Sequence, residues 1–406
     1  MTPSLPASAP VPSPEDDWSL FWVALLAAVT ATGPLAMQIF LPSVPLVQAT
    51  FDAPAGAAQL TISLALLSVA FSTLIYGPLA DRFGRRPVML GGLALFALGS
   101  VACALAPSLP TLIAARILQS AGGAVGMVLP RAVVRDRFGP ERAAALLAQL
   151  SMVMVVAPMV APALGGVLTD VIDWRAVFWF TALAGLAIGV LVFFTLPETL
   201  PRSAVTYGVG TLLRGFLLCL KSQRYRAYMG HAAASSMIFF AFISAAPYLM
   251  VNTLGQGATA YGLWFIIISL GYMGGNLLAV RLSGRYPLLG LMLAGSTLAV
   301  LGIALSAGFV LFGTLTPAAL FLPIALSMVG SGLAAPNAQA GAINVFPERA
   351  GTASGLTSFM QMFVAGLATQ WVGVAQNGTP WPMLGAMILG AAVALACIVW
   401  AYRLER

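Results

Sequence analysis

Long apolar runs recur along the whole chain, and each is close to the length that a helix needs to cross a bilayer, about 20 residues. Twelve runs predict membrane-spanning helices at residues 20–48, 57–80, 87–106, 111–133, 143–168, 174–196, 227–251, 260–281, 287–311, 314–343, 350–375 and 381–402. The first and tenth runs are long, which predicts tilt or extension beyond the bilayer. The runs lack two-residue alternation, so the sequence predicts an all-α membrane protein rather than a β-barrel.

Charged side chains are scarce and unevenly placed. Only 8% of the 406 residues are charged and 60% are hydrophobic, whereas soluble domains carry about 25% charged residues. Of the 19 Lys and Arg residues, all but Arg116 and Arg175 lie in or beside every second gap between runs, or at the C-terminal end. Basic loops resist translocation, so these gaps and both termini are predicted to be cytoplasmic. The net charge of +7 then indicates loops near anionic lipid rather than nucleic-acid binding.

The longest polar gap divides the runs into two sets of six. The predicted organisation is a disordered cytoplasmic tail at 1–17, a six-helix bundle at 18–196, a cytoplasmic linker at 197–226, a second six-helix bundle at 227–402 and a tail at 403–406. Within the linker, residues 205–220 fit either an amphipathic surface helix or a plain linker.

A weak repeat supports two related halves. Residues 81–86 (DRFGRR) follow the second run and residues 281–285 (RLSGR) follow the eighth. Residues 138–143 (FGPERA) open the fifth run and residues 346–350 (FPERA) open the eleventh. Halves of this kind are found in secondary transporters, where substrate binds between them near the midplane.

The sharpest motif is GPLADRFGRR at residues 77–86, which combines small residues, an acid, a turn and a cluster of guanidinium groups. It resembles the cytoplasmic signature of the major facilitator superfamily. The resemblance implies that Asp81 latches the halves by accepting N–H groups near Gly351, and that Arg85 pairs with Asp136. The predicted gating residues are Gly77, Asp81, Arg82, Gly84, Arg85, Arg86 and Asp136.

Further segments resemble the bicyclomycin-resistance (Bcr/CflA) branch of bacterial drug exporters, from about residue 20 to residue 400. They are MQIFLP at 37–42, RILQ at 116–119, APMVAPALGG at 157–166, PNAQ at 336–339 and GTASG at 351–355. The resemblance implies the major facilitator fold, two six-helix bundles related by a pseudo-two-fold axis, in the bacterial inner membrane. It also implies export of small antibiotics, usually in exchange for protons.

Two sets of residues inside the runs are candidates for the transport pathway. Pro158 and Pro162 each remove a backbone donor, and Gly165 and Gly166 allow close helix approach, so this segment is a predicted hinge. Polar and aromatic side chains at mid-span depth form a predicted substrate cavity, namely Gln38, Phe40, Arg116, Gln119, Tyr248, Trp264, Asn276, Asn337 and Gln361.

No Asp or Glu lies in the middle of a predicted span. The resemblance implies an acid at the position of Gln38, but Gln cannot titrate, which excludes proton coupling through this residue. An acid-free cavity near Arg116 predicts a preference for neutral, zwitterionic or weakly anionic compounds. His231, the one histidine, is interpreted as a surface residue near a span end or, alternatively, as a proton relay.

These features favour a monomeric multidrug or antibiotic efflux transporter. Its predicted partners are a drug-like small molecule and the lipid bilayer, with protons as a further candidate, and no enzyme activity, cofactor or metal is expected. The alternative within this class is an importer or facilitator of a small neutral or anionic metabolite. A different class, a membrane enzyme or a ligand sensor built on an inactive transporter, has little support, because no cluster of catalytic residues or nucleotide loop is found.

Overall fold

The computed structural model describes residues 20–138, 140–200 and 209–405. The predicted tail at 1–17 and residues 201–208 of the predicted linker lie outside this part of the chain. The α-helices of the described residues are α1 Leu20–Ile39, α2 Val44–Thr50, α3 Ala55–Phe83, α4 Arg85–Ala104, α5 Leu109–Gly123, α6 Val125–Arg137, α7 Pro140–Val171, α8 Trp174–Thr195, α9 Val209–Lys221, α10 Gln223–Tyr248, α11 Ala258–Leu282, α12 Leu288–Leu311, α13 Pro317–Asn344, α14 Ala350–Ala375 and α15 Trp381–Glu405.

Eleven helical segments of the described chain are long and apolar enough to cross a membrane. They correspond to eleven of the twelve predicted spans. The remaining prediction, 350–375, coincides with the 26-residue helix α14, which carries Gln361 and Gln370 and is not among these eleven. The structure therefore confirms a multi-pass helical protein, but the count of twelve membrane crossings stays a prediction.

Two of the spans are broken rather than straight. The first, predicted to be long, is α1 followed by a short 3₁₀ turn at Leu41–Ser43 and then α2. Pro42 lies in this turn, where the ring and the missing N–H interrupt the helical ladder. The fourth span breaks at Ala124 into α5 and α6, directly after Gly122 and Gly123. Two consecutive glycines weaken a helix at this point.

The helices form two groups in chain order. In the first group α4 packs on α5 and α8, and α1 packs on α7. In the second group α12 packs on α13, and α10 packs on α15. We call these groups, α1–α8 and α10–α15, the N-half and the C-half. Two helix pairs join them, α3 with α14 and α7 with α11.

The repeated DRFGRR and RLSGR segments form matching turns. Gly84 joins α3 to α4 with a φ of +99°, and Gly284 lies between α11 and α12 with a φ of +79°. These left-handed conformations suit glycine because it has no Cβ. The two turns occupy the same place in each half, so the weak sequence repeat has a structural counterpart.

Helix α9 belongs to the described part of the connection between the halves. It lies in the region predicted as either a surface helix or a linker, and it packs on α10 and α14 of the C-half. Cys219 is buried on one side, whereas Leu217 and Leu218 are exposed on another. An amphipathic helix of this kind is typical of a membrane surface.

Candidate functional site

The two halves meet at one end of the molecule and separate at the other. We call the end that holds the α3–α4 turn and its arginines the basic face, and the opposite end the far face. Toward the far face, buried residues of both halves, such as Phe40 and Phe321, belong to a single apolar cluster. Toward the basic face each half has its own cluster, around Leu129 in the N-half and Met292 in the C-half.

Polar contacts seal the α3–α14 seam near the far face. The Ser63 hydroxyl donates to Oε1 of Gln370 at 2.7 Å, and Nε2 of Gln370 donates to the carbonyl of Gly56 at 3.0 Å. Nearer the middle of the seam, the rings of Phe71 and Phe359 meet edge to face with centroids 5.4 Å apart. These contacts join residues of α3 and α14 that are more than 280 positions apart in the chain.

The α7–α11 seam is sealed by a carboxylate and by close backbone packing. Asp170, at the end of α7, accepts the N–H groups of Ala258 at 3.2 Å and Thr259 at 2.8 Å in the first turn of α11. Gly166 faces the backbone of Ala258 and Thr259, and Gly262 faces Pro162, so a side chain at either glycine would clash. The acid also complements the positive end of the α11 dipole.

At the basic face the α3–α14 pair diverges. A side-chain carbon added at Gly77 in α3, or at Gly351 or Gly355 in α14, would meet no atom within 4 Å. The contact expected between Asp81 and the start of α14 is accordingly not formed in this conformation. The space between the halves therefore opens toward the basic face.

The predicted gating motif forms an ion-pair network inside the N-half. Arg85 donates from Nη1 to Asp81 at 2.6 Å and from Nε to Asp136 at 2.8 Å, so the expected Arg85–Asp136 pair is present. Arg86 donates to the carbonyl of Phe193 at the end of α8. Arg82 extends over the ring of its neighbour Phe83. The network ties together the ends of α3, α4, α6 and α8, and its gating role stays a prediction.

Glu198 also belongs to this region, although no sequence pattern singled it out. Its carboxylate accepts the N–H groups of Arg85 at 2.8 Å and Arg86 at 3.2 Å, and those of Thr199 and Leu200, both at 2.9 Å. Burial raises the pKa of Glu198, but the four N–H donors outweigh this effect, and the pKa lies below its ordinary value of 4.5. Glu198 thus caps the start of α4.

Arg116 is enclosed inside the N-half, with 1% of its surface exposed. Its guanidinium donates to Oε1 of Gln119 at 2.6 Å and to the carbonyls of Ala36 and Thr61, both at 3.3 Å. It also lies 4.8 Å from the ring centroid of Phe40. Carbonyls, an amide and an aromatic face therefore solvate the cation, and no carboxylate bonds it among the described residues.

Gln119 connects this cation to the rest of the N-half. It is fully buried, and its Nε2 donates to the hydroxyls of Ser100 at 2.7 Å and Thr181 at 3.2 Å. The structure thus brings Phe40, Arg116 and Gln119 of the predicted cavity set together. In this conformation the three are packed against one another rather than exposed to the space between the halves.

Two other members of the predicted set lie in the core with an unsatisfied polar atom. Gln38 is buried, and its Oε1 has no hydrogen-bond partner. Tyr248 is buried as well, and its hydroxyl also lacks a partner. Buried polar atoms of this kind are costly unless water or a ligand satisfies them, which makes both residues candidates for contacts that form in another state.

The remaining predicted cavity residues lie on three C-half helices, α11, α13 and α14. Nδ2 of Asn276 donates to the Tyr272 carbonyl at 3.0 Å and Nδ2 of Asn337 to the Leu333 carbonyl at 2.8 Å, each within its own helix. The list is completed by Trp264, which is half-buried with its ring 5.8 Å from that of Phe321, and by Gln361, which is half-buried in α14. Their part in binding stays a prediction.

The predicted hinge lies in α7, which continues through both Pro158 and Pro162. Gly165 packs against the carbonyl of Ile39 in α1, and Gly166 packs against α11 of the other half. The two glycines therefore allow close approach on two sides of α7, as expected from their size. The hinge role itself stays a prediction.

The interpretation of His231 as a surface residue was wrong. Its side chain is fully buried in α10, where it contacts Ala394 of α15 and Ser235 of its own helix. His231 lies only eight residues after the start of α10, which suggested a position at the membrane surface. Helix α15 packs alongside α10 and buries it.

Comparisons with known proteins agree on one family. Residues 26–369 match the sequence profile of the Major Facilitator Superfamily. An uncharacterized MFS-type transporter, YdgK, of Bacillus subtilis is 30% identical over 376 residues, with 91% of this chain and 92% of the relative covered. A bicyclomycin resistance protein homolog of Haemophilus influenzae is 27% identical (96% and 97% covered), and multidrug resistance protein D of Escherichia coli is 28% identical (94% and 96% covered).

The fold comparison agrees with the sequence comparisons. The crystal structure of a bacterial homolog to the human lysosomal transporter Spinster has a TM-score of 0.72 to this chain, with 16% identity and with 96% of this chain and 95% of that chain covered. At this identity the similarity concerns the fold alone.

Proposed function

Since this chain belongs to the Major Facilitator Superfamily and is a transporter rather than an enzyme, we propose that it exports small drug-like molecules across a bacterial inner membrane by alternating access. Two relatives are named a bicyclomycin resistance protein homolog and multidrug resistance protein D, and these names support a drug as the substrate. The division into bundles at 18–196 and 227–402, with both termini and the basic face in the cytoplasm, is part of this proposal.

The observation that carries the proposal is the asymmetry of the two seams. Both joining pairs, α3 with α14 and α7 with α11, are closed at the far face, whereas at the basic face α3 and α14 diverge and each half has its own apolar cluster. A second state needs only the reverse, with Asp81 approaching the start of α14 and Asp170 leaving the start of α11. Each acid would thus act on a helix N-terminus in one of the two states, Asp170 at the far face and Asp81 at the basic face.

The proposed substrate class follows from the charge distribution. No Asp or Glu among the described residues lies within the core of the membrane spans, whereas Arg116 does. A neutral, zwitterionic or weakly anionic compound therefore fits better than a lipophilic cation. Proton exchange through Gln38 is excluded by its chemistry, so any proton coupling needs another group.

Transport by purified protein in liposomes tests the proposal. Vesicles preloaded with unlabelled chloramphenicol should take up labelled chloramphenicol by counterflow faster than protein-free vesicles, and labelled ethidium should exchange more slowly. Cells that express the protein should accumulate less chloramphenicol than control cells. Counterflow with increased cellular accumulation would favour the importer or facilitator, and drug binding without counterflow would favour a sensor.

A further inference from the structure

A small cavity lies inside the C-half, away from the seams between the halves. It lies between α10, α12, α13 and α15, and its volume of about 10 Å³ is close to the least that one water molecule needs. Its polar lining consists of three serine side chains, Ser235, Ser296 and Ser331, and the rest is alanine and isoleucine. Each of the three serines is at most 6% exposed, so the cavity is remote from bulk water.

One of these serines has an unsatisfied hydroxyl. Oγ of Ser331 is buried and has no hydrogen-bond partner. Buried hydroxyl groups normally have hydrogen-bond partners. A buried water needs about two to four polar neighbours to be stable. Three hydroxyls around one cavity supply such neighbours, so the lining suits water.

His231 contacts the same cavity through Ser235. Its Nδ1 lies 3.1 Å from the Ala394 carbonyl, and since a carbonyl only accepts, Nδ1 carries the hydrogen. Nε2 therefore has a lone pair, and it lies 3.4 Å from Oγ of Ser235, which lines the cavity. The basic nitrogen of the imidazole thus has a weak partner on the cavity side, while the other nitrogen is fixed by the backbone.

We propose that His231 and this serine-lined cavity form a binding site for water and one proton, separate from the substrate pathway; the consequence for transport rests on the proposed function. When the site loads, a hydronium ion that reaches the cavity from solvent gives its proton to the lone pair on Nε2 of His231 and remains there as neutral water. Ser235 then accepts a hydrogen bond from Nε2 instead of donating one, and its own hydrogen turns to the cavity. Water and hydroxyl groups stabilise the imidazolium, as Arg116 is stabilised without a carboxylate in the N-half.

The surroundings of His231 are poor in other ionisable groups. Helices α12, α13 and α14 contain no charged residue. Three further helices that pack on α10 carry ionisable groups. In α15 these are Cys397, which lies beside Gly230, and Tyr402, Arg403 and Glu405 near its end. In α9 they are Arg214, Cys219 and Lys221, and in α11 they are Tyr261, Tyr272 and Arg281. On α10 itself, Tyr228 donates to Glu405 and Tyr225 donates to the Ala353 carbonyl. None of these groups lines the cavity, so protonation there depends on the imidazole.

Among the described Asp, Glu and His residues, His231 is the one with a buried side chain. The imidazole can therefore bind a proton inside the spans, where Gln38 cannot and where no described carboxylate lies. Such a site changes transport only if its access to water differs between the two states of the cycle. The expected result is sensitivity of transport to a pH gradient.

The presence of one histidine in 406 residues allows a direct test. The ¹⁵N-histidine NMR spectrum of the labelled protein in nanodiscs should give one imidazole that is protonated at Nδ1 at high pH and that becomes doubly protonated as pH falls. Ser331→Val, which fills the cavity with an apolar group, should shift this titration to lower pH. Ser306→Ala is the control, because Ser306 is also buried and unpartnered but does not line the cavity. An imidazole that stays neutral until the protein unfolds, or a titration that Ser331→Val leaves unchanged, would overturn the site.

Transport separates this inference from the proposed function. With one proton exchanged for each neutral drug, the wild-type chloramphenicol gradient should change about tenfold for each unit of pH gradient. His231→Asn and His231→Gln should retain counterflow, which needs no gradient, but lose this response. Absence of counterflow in the wild type contradicts the proposed function. Counterflow with an equal pH response in wild type and His231→Asn contradicts only the proton site.

Discussion

The carboxylate of Asp170 accepts the backbone N–H of Thr259 at 2.8 Å, which joins the end of α7 to the first turn of α11 across the boundary between the halves. The second carboxylate oxygen accepts the N–H of Ala258. A charged side chain of the N-half therefore caps a 25-residue helix of the C-half. Because this contact exists only while the far face is closed, it favours the conformation described here.

Replacing Asp170 with Asn should shift the molecule toward the state that is open at the far face. The amide loses the charge–dipole attraction, which at an exposed helix end amounts to about 0.5–1 kcal/mol, or roughly a two- to fivefold change in the equilibrium. Spin labels at Ile172→Cys and Asn377→Cys, two exposed far-face positions in different halves, should report a larger population at long distance. The protein for labelling has its three native cysteines replaced.

Asp173→Asn is the matched control for this measurement. Asp173 lies three residues later but bonds within its own half, to the N–H of Trp174 and to Arg175. Its replacement should leave the distance distribution unchanged. Equal effects of the two substitutions would mean that Asp170 does not hold the halves together.

Arg85→Ala should destabilise the N-half more than Arg82→Ala. The first change leaves Asp81 and Asp136 without their shared cation, at a cost of about 2 kcal/mol for partly exposed charged hydrogen bonds. Arg82 extends over the ring of Phe83, so its loss costs less. The thermal unfolding midpoint in detergent measures the difference, and equal midpoints would show that the ion-pair network contributes nothing to stability.

Arg116→Met should abolish transport without lowering thermal stability. An enclosed charge without a carboxylate partner is expensive to bury, so an apolar side chain of similar length is neutral or stabilising in such a position. Stability is measured by the unfolding midpoint and function by chloramphenicol counterflow. Arg116→Lys keeps the charge but not the planar fork that reaches Gln119 and two carbonyls, and it should recover little transport. A strongly destabilised Arg116→Met protein would instead assign the residue a purely structural role.

The cap formed by Glu198 predicts a loss of stability in acid. The pKa of Glu198 is lower in the folded protein than its ordinary value of 4.5, so its contribution is complete above pH 4.5. The contribution is lost as pH falls below 4.5 and through the folded pKa. The unfolding midpoint of wild type should therefore approach that of Glu198→Gln as pH falls below 4.5. A constant difference between the two proteins across this range would contradict the cap.

Sequence patterns predicted the helices well because lipid imposes a length and an apolar composition on each one. The predicted spans 174–196, 287–311 and 350–375 match Trp174–Thr195, Leu288–Leu311 and Ala350–Ala375 within one residue at either end. The breaks at Leu41–Ser43 and at Ala124 were not predicted. A hydropathy average over a whole span does not resolve a turn of one to three residues. Pro42 and the Gly122–Gly123 pair were nevertheless sequence signals for an interrupted helix.

Contacts between the halves were harder to predict. Arg85–Asp136 joins neighbouring helix ends inside one half and was expected, whereas Asp170–Thr259 and Ser63–Gln370 depend on which face of the molecule is closed. A single sequence encodes both states, so hydropathy and motifs do not select between them. Burial of His231 depends likewise on the position of α15, which no local pattern reveals.

Cross-linking of the α3–α14 seam tests most directly whether transport requires the far face to open. Ser63→Cys and Gln370→Cys, in a protein without its native cysteines, can be joined by a short bifunctional methanethiosulfonate, because the native side chains are 2.7 Å apart. The control pair is Ser43→Cys with Thr169→Cys, whose native hydroxyls are also 2.7 Å apart but lie within the N-half. Linking residues 63 and 370 should stop chloramphenicol counterflow until a reductant restores it, whereas linking the control pair should not. Counterflow at an unchanged rate through the protein linked at residues 63 and 370 would contradict alternating access through this seam.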